Sequence, residues 1–148
     1  MELMGTSPKI DLYTHPLFLR MVNEFGFENC DKDTFPQFLK KPGLAMVVFI
    51  EDPNRMKETM DALVIAPELA KSCGLIEHKA VVGPPNARKL AVTYGFKRWP
   101  ALVFFRDGKY LGAVDGLRLW ADLVREADEI MHSEPHYPPS VGIPVRSI

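Results

Sequence analysis

With 148 residues, 47% of them apolar and 25% charged, the chain has the make-up of one globular domain. It is long enough to bury roughly two thirds of the surface its unfolded form exposes, without a metal or disulfide staple. Eighteen Lys plus Arg stand against nineteen Asp plus Glu with no long run of like charge, which excludes wholesale disorder and leaves no nucleic-acid footprint.

Residues 1–12 mix Gly, Ser, Pro and polar groups and read as a flexible N-terminus ahead of a domain at 13–131. A first helix is expected from Thr14 as N-cap, with Pro16 in its first turn, Phe18, Met21, Val22 and Phe25 at helical spacing, and Gly26 as its stop. Phe27 to Cys30 is a short extended piece, after which Asp31 or Asp33 can cap a helix carrying Phe35, Phe38 and Leu39. The run Leu44 to Ile50, bounded by Pro42-Gly43 and by Glu51-Asp52, is continuously apolar and suits a central strand covered on both faces. It is far below the ~20 residues that cross a bilayer, and the N-terminus shows no basic-then-apolar leader, so a cytoplasmic chain without membrane insertion is expected.

Asp52 or Asn54 can cap the next helix, whose inward face is drawn from Met56, Met60, Leu63, Val64 and Leu69, with a kink at Pro67 and an end at Cys73-Gly74. A strand over His78–Gly83 and a helix over Pro85–Tyr94 follow, and the strand-helix-strand order calls for parallel pairing. The chain then changes character. Residues 100–116 form two strands around Asp107-Gly108, a strong two-residue hairpin signal, so these strands are antiparallel. A closing helix places Trp120, Leu123, Val124, Ala127, Ile130 and Met131 on its apolar face. Residues 132–148 hold four prolines and no helical period and read as a mobile or surface-laid tail. The fold class is α/β, a mixed central sheet with flanking helices and an extra helix at the N-terminus.

From about residue 27 to 131 this order, with its hairpin opened by Trp99-Pro100, resembles the thioredoxin fold. The resemblance implies a cis peptide at Pro100, facing the junction that follows the central strand. It also sets where redox cysteines should fall: at Asn54 and Lys57 if aligned on the strand, or at Thr59 and Ala62 if aligned on Ala66-Pro67-Glu68-Leu69. Neither alignment supplies a thiol. The strand ending in EDPNR, the following DALVIAPEL and the block YGFKRWPALVFFRDGKYLGAVDG together are similar to the hydrogenase-operon proteins HyaE and HupG. That resemblance implies a non-catalytic cytoplasmic chaperone for uptake [NiFe] hydrogenases, with no cofactor. Its implied partners are the small-subunit precursor with its twin-arginine signal peptide and other hydrogenase accessory proteins.

The residues themselves nominate a short list. Glu51 and Asp52 are paired acids at the carboxyl end of the central strand, where open α/β sheets present ligands. They read either as a docking site for a cationic peptide or as a helix cap plus a solvated acid. Arg98 and Trp99 precede Pro100 and are residue types enriched in interface hot spots, although Trp99 can equally pack beneath a helix. Backbone beside Pro100 can pair with an extended peptide, which needs no reactive side chain.

The two cysteines, Cys30 and Cys73, lie far apart and form no CxxC pair. Asp31 and Asp33 should raise the pKa of Cys30, and Cys73 follows a helix body near the negative end of its dipole. A single-cysteine thiol oxidoreductase and a generic peptide adapter are therefore the competing readings. His15, His78, His132 and His136 have no ligand spacing and read as surface groups.

Overall fold

The apolar run at Leu44–Phe49 forms a strand, β2, whose six residues are all buried. In the computed structural model, which describes residues 9–139, β2 is the middle strand of five. It pairs in parallel with β3 (His78–Val82) and antiparallel with β4 (Ala101–Arg106). Beyond these lie β1 (Glu28–Cys30), parallel to β3, and β5 (Lys109–Asp115), antiparallel to β4. The parallel and antiparallel halves expected from the sequence therefore meet at β2.

Helices α1 (Pro16–Asn23), α3 (Glu58–Ser72) and α5 (Trp120–Met131) contribute to one core, with Leu44, Met46, Val48 and Ile50 from the middle of the sheet. The other core takes Ala45, Val47 and Phe49, which alternation sends the opposite way, together with α2 (Phe35–Phe38) and α4 (Ala87–Ala91). Rings dominate this second core: Tyr94 lies 5.3 Å from Phe105 and 5.9 Å from Phe49, centroid to centroid. Truncating any one of these rings to Ala would cost about 3–5 kcal/mol.

The hairpin between β4 and β5 turns through Asp107 (φ 54°) and Gly108 (φ 78°), both left-handed as a tight hairpin between twisted strands requires. Asp107 also accepts the Gly43 N–H at 2.8 Å, locking the turn to the start of β2. Further along, Leu111 is an extra residue in β5 between Tyr110, opposite Phe105, and Gly112, opposite Phe104. Gly112 (φ 153°) passes under α5, where a Cβ would lie 3.1 Å from Ile130.

Helix starts depart from expectation in three places, and at the first of them α2 starts from Thr34 with no side-chain cap bond, not from Asp31 or Asp33. The cap of α1 is His15, not Thr14: its Nδ1 accepts the Leu17 N–H at 3.0 Å, so His15 is more than a surface group. Thr14 is already used in a 3-10 turn, Leu12–Thr14, capped by Asp11. The start of α3 at Glu58 is capped by neither Asp52 nor Asn54. The Asp52 carboxylate is instead taken by the Asn54 N–H at 3.0 Å and Nδ2 at 2.9 Å. Asn54 in turn clasps the backbone of Ile10 from both sides, at 2.8 and 2.7 Å. Acids Glu58 and Asp61 complement the helix dipole in the first turn of α3.

Helix α3 continues through the buried Pro67 to Ser72. In α5 the buried stripe is Leu123, Ala127 and Met131, while Trp120 and Val124 are 46% and 38% exposed and do not belong to it. Trp120 opens the helix and Val124 lies one turn on, at the rim of the stripe.

After α5 the chain runs beside β5: Tyr110 O accepts the His136 N–H at 3.1 Å, and Arg106 Nη1 donates to Ser133 O at 2.9 Å. Residues 1–8 of the expected flexible N-terminus and 140–148 of the proline-rich tail lie outside the described residues. Of the described remainder, Leu12 is buried.

Candidate functional site

The carboxyl end of β2 and the amino end of β4 meet at one corner of the sheet. Phe49 pairs with Ala101, so Ile50 and Glu51 follow the last paired residue of β2 where Trp99 and Pro100 precede the first paired residue of β4. The Trp99-Pro100 peptide is cis, as the thioredoxin resemblance implied, and so is Pro84-Pro85, which the sequence reading did not anticipate. Pro100 is buried, Trp99 half-buried, and Arg98 and Lys97 exposed.

Asp115, the last residue of β5, holds this loop in place. One carboxylate oxygen accepts the N–H groups of Lys97 at 2.8 Å and Arg98 at 3.1 Å, and the other faces Arg98 Nη2 at 3.4 Å and Arg118 Nη2 at 3.7 Å. Next to it the Gly116 N–H donates to Pro100 O at 2.7 Å. Burial, the largest single influence, would raise the Asp115 pKa, but the two N–H donors and then the Arg98 and Arg118 charges outweigh it and hold the carboxyl below its ordinary range.

The two acids expected to act together point apart. Glu51 is only 5% exposed, and its carboxylate is held by Nε of Arg88 on α4. The Glu51 carbonyl accepts the hydroxyl of the fully buried Thr59 at 2.9 Å. Glu51 is therefore not a solvated acid. Asp52 stays partly exposed, and the Asn54 backbone and side-chain donors lower its pKa.

Arg88 also lies over Trp99, its guanidinium carbon 5.6 Å from the ring, and Trp99 packs edge-on against Phe96 at 5.1 Å. Glu51 and Trp99 thus come together through Arg88, Pro100 follows Trp99 in the chain, Arg98 is held by Asp115, and Asp52 stands aside with Asn54. The exposed charges of the corner are mostly cations: Arg55, Lys57, Arg88, Lys89, Lys97 and Arg98. On its other side, Pro100 lines a small apolar pocket with Ala62, Ile65, Ala66, Leu102 and Leu117.

The thiol positions are occupied by inert groups. Asn54 and Lys57 lie before α3, while Thr59 and Ala62 lie in its first two turns and are buried. Cys30 ends β1, with β3 and β2 between it and β4; burial first, then Glu28, push its thiol up to about 11. Cys73 caps the far end of α3, about 21 Å along the helix from Thr59 at 1.5 Å per residue, and its Sγ sits 3.7 Å from Met131 Sδ. Among the described residues no three His, Cys, Asp or Glu side chains group as a metal site, and no helix is long and apolar enough to cross a membrane.

Sequence reasoning missed Arg88 and Asp115. Arg88 sits on a short helix and Asp115 at the end of a strand, and nothing local in the sequence marks either one's partner.

Residues 17–123 match the family described as "Hydrogenase-1 expression protein HyaE". This chain is a member of the HyaE family. It is 30% identical over 129 residues to the "Hydrogenase expression/formation protein HoxO" of Azotobacter vinelandii, covering 87% of this chain and 86% of the relative. The HoxO of Cupriavidus necator is 32% identical over 137 residues, with 89% and 83% covered. A protein named HupG from Rhodobacter capsulatus is 33% identical over 119 residues, with 80% and 86% covered.

Solved structures show the fold of this HyaE-family chain. A chain of the ferredoxin:thioredoxin reductase and thioredoxin f2 complex superposes with TM-score 0.59 at 17% identity, covering 71% of this chain and 94% of that one. The J-Trx1 fragment of ERdj5 gives TM-score 0.59 at 20% identity, covering 78% and 56%. The chain is a hydrogenase expression/formation accessory protein with a thioredoxin-like fold.

Proposed function

We propose that this protein is a non-catalytic cytoplasmic chaperone in [NiFe] uptake-hydrogenase maturation, binding the small-subunit precursor and its twin-arginine signal peptide before export. One observation carries the reading: the cis-Pro100 loop is fully built and braced by Asp115 and Gly116, yet faces a helix start with no thiol. Such a corner binds without exchanging sulfur.

In this reading an extended client segment pairs with backbone beside Pro100, the arrangement of strand addition. Its apolar side chains lie against Ile65 and the exposed Leu117 and Leu119. Glu51, Asp52, Arg98, Trp99 and Pro100 form the docking rim. Exposed ion pairs supply about 0–1 kcal/mol each, so the apolar contacts supply most of the affinity.

Co-purification tests the proposal: the protein should retain signal-bearing small subunit and retain signal-deleted subunit much less. Equal retention of both would remove the signal-peptide part. A pull-down from hydrogenase-expressing cells separates this reading from a generic adapter with another client. The single-cysteine oxidoreductase gains no support from Cys30, which is buried with its thiol pKa pushed up to about 11.

A further inference from the structure

The Glu51–Arg88 pair is lopsided. The Glu51 side chain is 6% exposed and the Arg88 side chain 61%. Only Oε2 of Glu51 is engaged, and only by Nε; among the described residues Oε1 has no hydrogen-bond partner, nor has either Nη of Arg88. A guanidinium meeting a carboxylate gains most from two parallel bonds, so this contact is half of what the two groups can make.

The second wall is aromatic. Arg88 lies over the Trp99 ring, which leans on Phe96, and a trough of about 180 Å³ runs beside them between Ala91, Val92 and Gly95. A buried carboxylate and an indole face that share one guanidinium, as Glu51 and Trp99 share that of Arg88, are the chemistry that selects a planar guanidinium over a compact ammonium.

We infer that Glu51 and Trp99 form a guanidinium-binding subsite in which Arg88 is a placeholder, displaced by an arginine of the client segment. This rests on reading the Pro100 corner as the client site. The exchange keeps the buried charge neutralised: Arg88 leaves a single bond for water, and the incoming arginine can bond both oxygens. A lysine offers neither the parallel bonds nor the stack.

A client-free experiment decides the subsite. In an Arg88→Gln variant carrying Trp120→Phe, so that Trp99 is the sole indole, ethylguanidinium should change the fluorescence with about tenfold higher affinity than in the Arg88 chain, because the occupant no longer competes. Ethylammonium should do much less, and adding Glu51→Gln should abolish the response. Equal affinity with and without Arg88, or equal response to both cations, overturns the subsite.

Should Arg88→Gln not fold, the wild-type chain answers through the Arg88 Nε–Hε resonance. Ethylguanidinium should move it toward its water-exposed position and ethylammonium should not; a resonance unmoved by ethylguanidinium overturns the inference. A synthetic peptide with two consecutive arginines before an apolar stretch separates the two readings. Amide shifts at Trp99 and Ala101 with Arg88 unmoved defeat the placeholder alone. Displacement by ethylguanidinium with no peptide binding supports the guanidinium pocket but removes this client.

Discussion

Replacing Asp115 with Ala removes the group that holds the Lys97–Pro100 loop. The carboxylate is 20% exposed and accepts two backbone N–H groups, at 2.8 and 3.1 Å. Hydrogen bonds to a charged partner are worth about 1.5–3 kcal/mol each. Lys97 and Arg98 are themselves exposed, so water re-bonds part of what is lost, and the lower end of the range applies. The expected cost is about 2–3 kcal/mol, or roughly 6–9 °C in Tm at about 3 °C per kcal/mol for a domain of this size. Asp115→Asn keeps a carbonyl acceptor and should cost about 1 kcal/mol.

Urea unfolding followed by circular dichroism measures both variants, with an unchanged m-value as the check on two-state behaviour. The pH dependence has a fixed sign. The folded pKa of Asp115 is lowered, so the unfolded chain takes the proton first. The stabilisation is complete above the unfolded value of about 3.9 and is lost as pH falls through the folded value. The gap between wild type and Asp115→Asn should therefore narrow as pH drops from about 5 toward 3. A loss below about 0.5 kcal/mol for Asp115→Ala, the size of an ordinary surface change, would refute the claim that this carboxylate braces the loop.

At pH 8 a thiol with pKa about 11 is thiolate in only about one molecule in a thousand, so iodoacetamide should label Cys73 well before Cys30 by mass spectrometry. The double Ser variant of Cys30 and Cys73 should keep client capture in full; lost capture would revive the thiol mechanism. Gly108→Ala should destabilise by about 2–3 kcal/mol in the same urea assay, since the residue is left-handed and the new Cβ would fall 2.4 Å from the Leu39 carbonyl oxygen. A neutral result there would contradict the locked hairpin.

The parts legible in the sequence are those with strong local signals. The uninterrupted run at Leu44–Phe49 announced a strand covered on both faces, and Asp107-Gly108 announced the hairpin, because each is set by a few adjacent residues. The helix starts failed where two local structures competed for the same polar groups. Thr14 was drawn into a 3-10 turn and Asp52 into a bond with Asn54, leaving His15 and the acids of α3 to serve the helices.

The site was half legible. Its place followed from strand end and proline, but its chemistry is made by long-range partners. Arg88 reaches Glu51 across 37 positions from a five-residue helix, and Asp115 reaches Arg98 and Lys97 across 17 and 18. An acid at a strand end reads as solvated until a partner draws it in, which is why Glu51 and Asp52 looked like one patch and are two separate groups.

The central claim is that clients bind at the Pro100 corner without thiol chemistry. Amide chemical-shift mapping tests it most directly, with isotope-labelled double Ser variant of Cys30 and Cys73 titrated with the hydrogenase small-subunit signal peptide. Shifts should centre on the amides of Glu51, Arg98, Trp99, Ala101, Gly116 and Leu117, of the same size as in the wild-type chain. Binding that leaves this corner unmoved, or that vanishes with the cysteines, would contradict it.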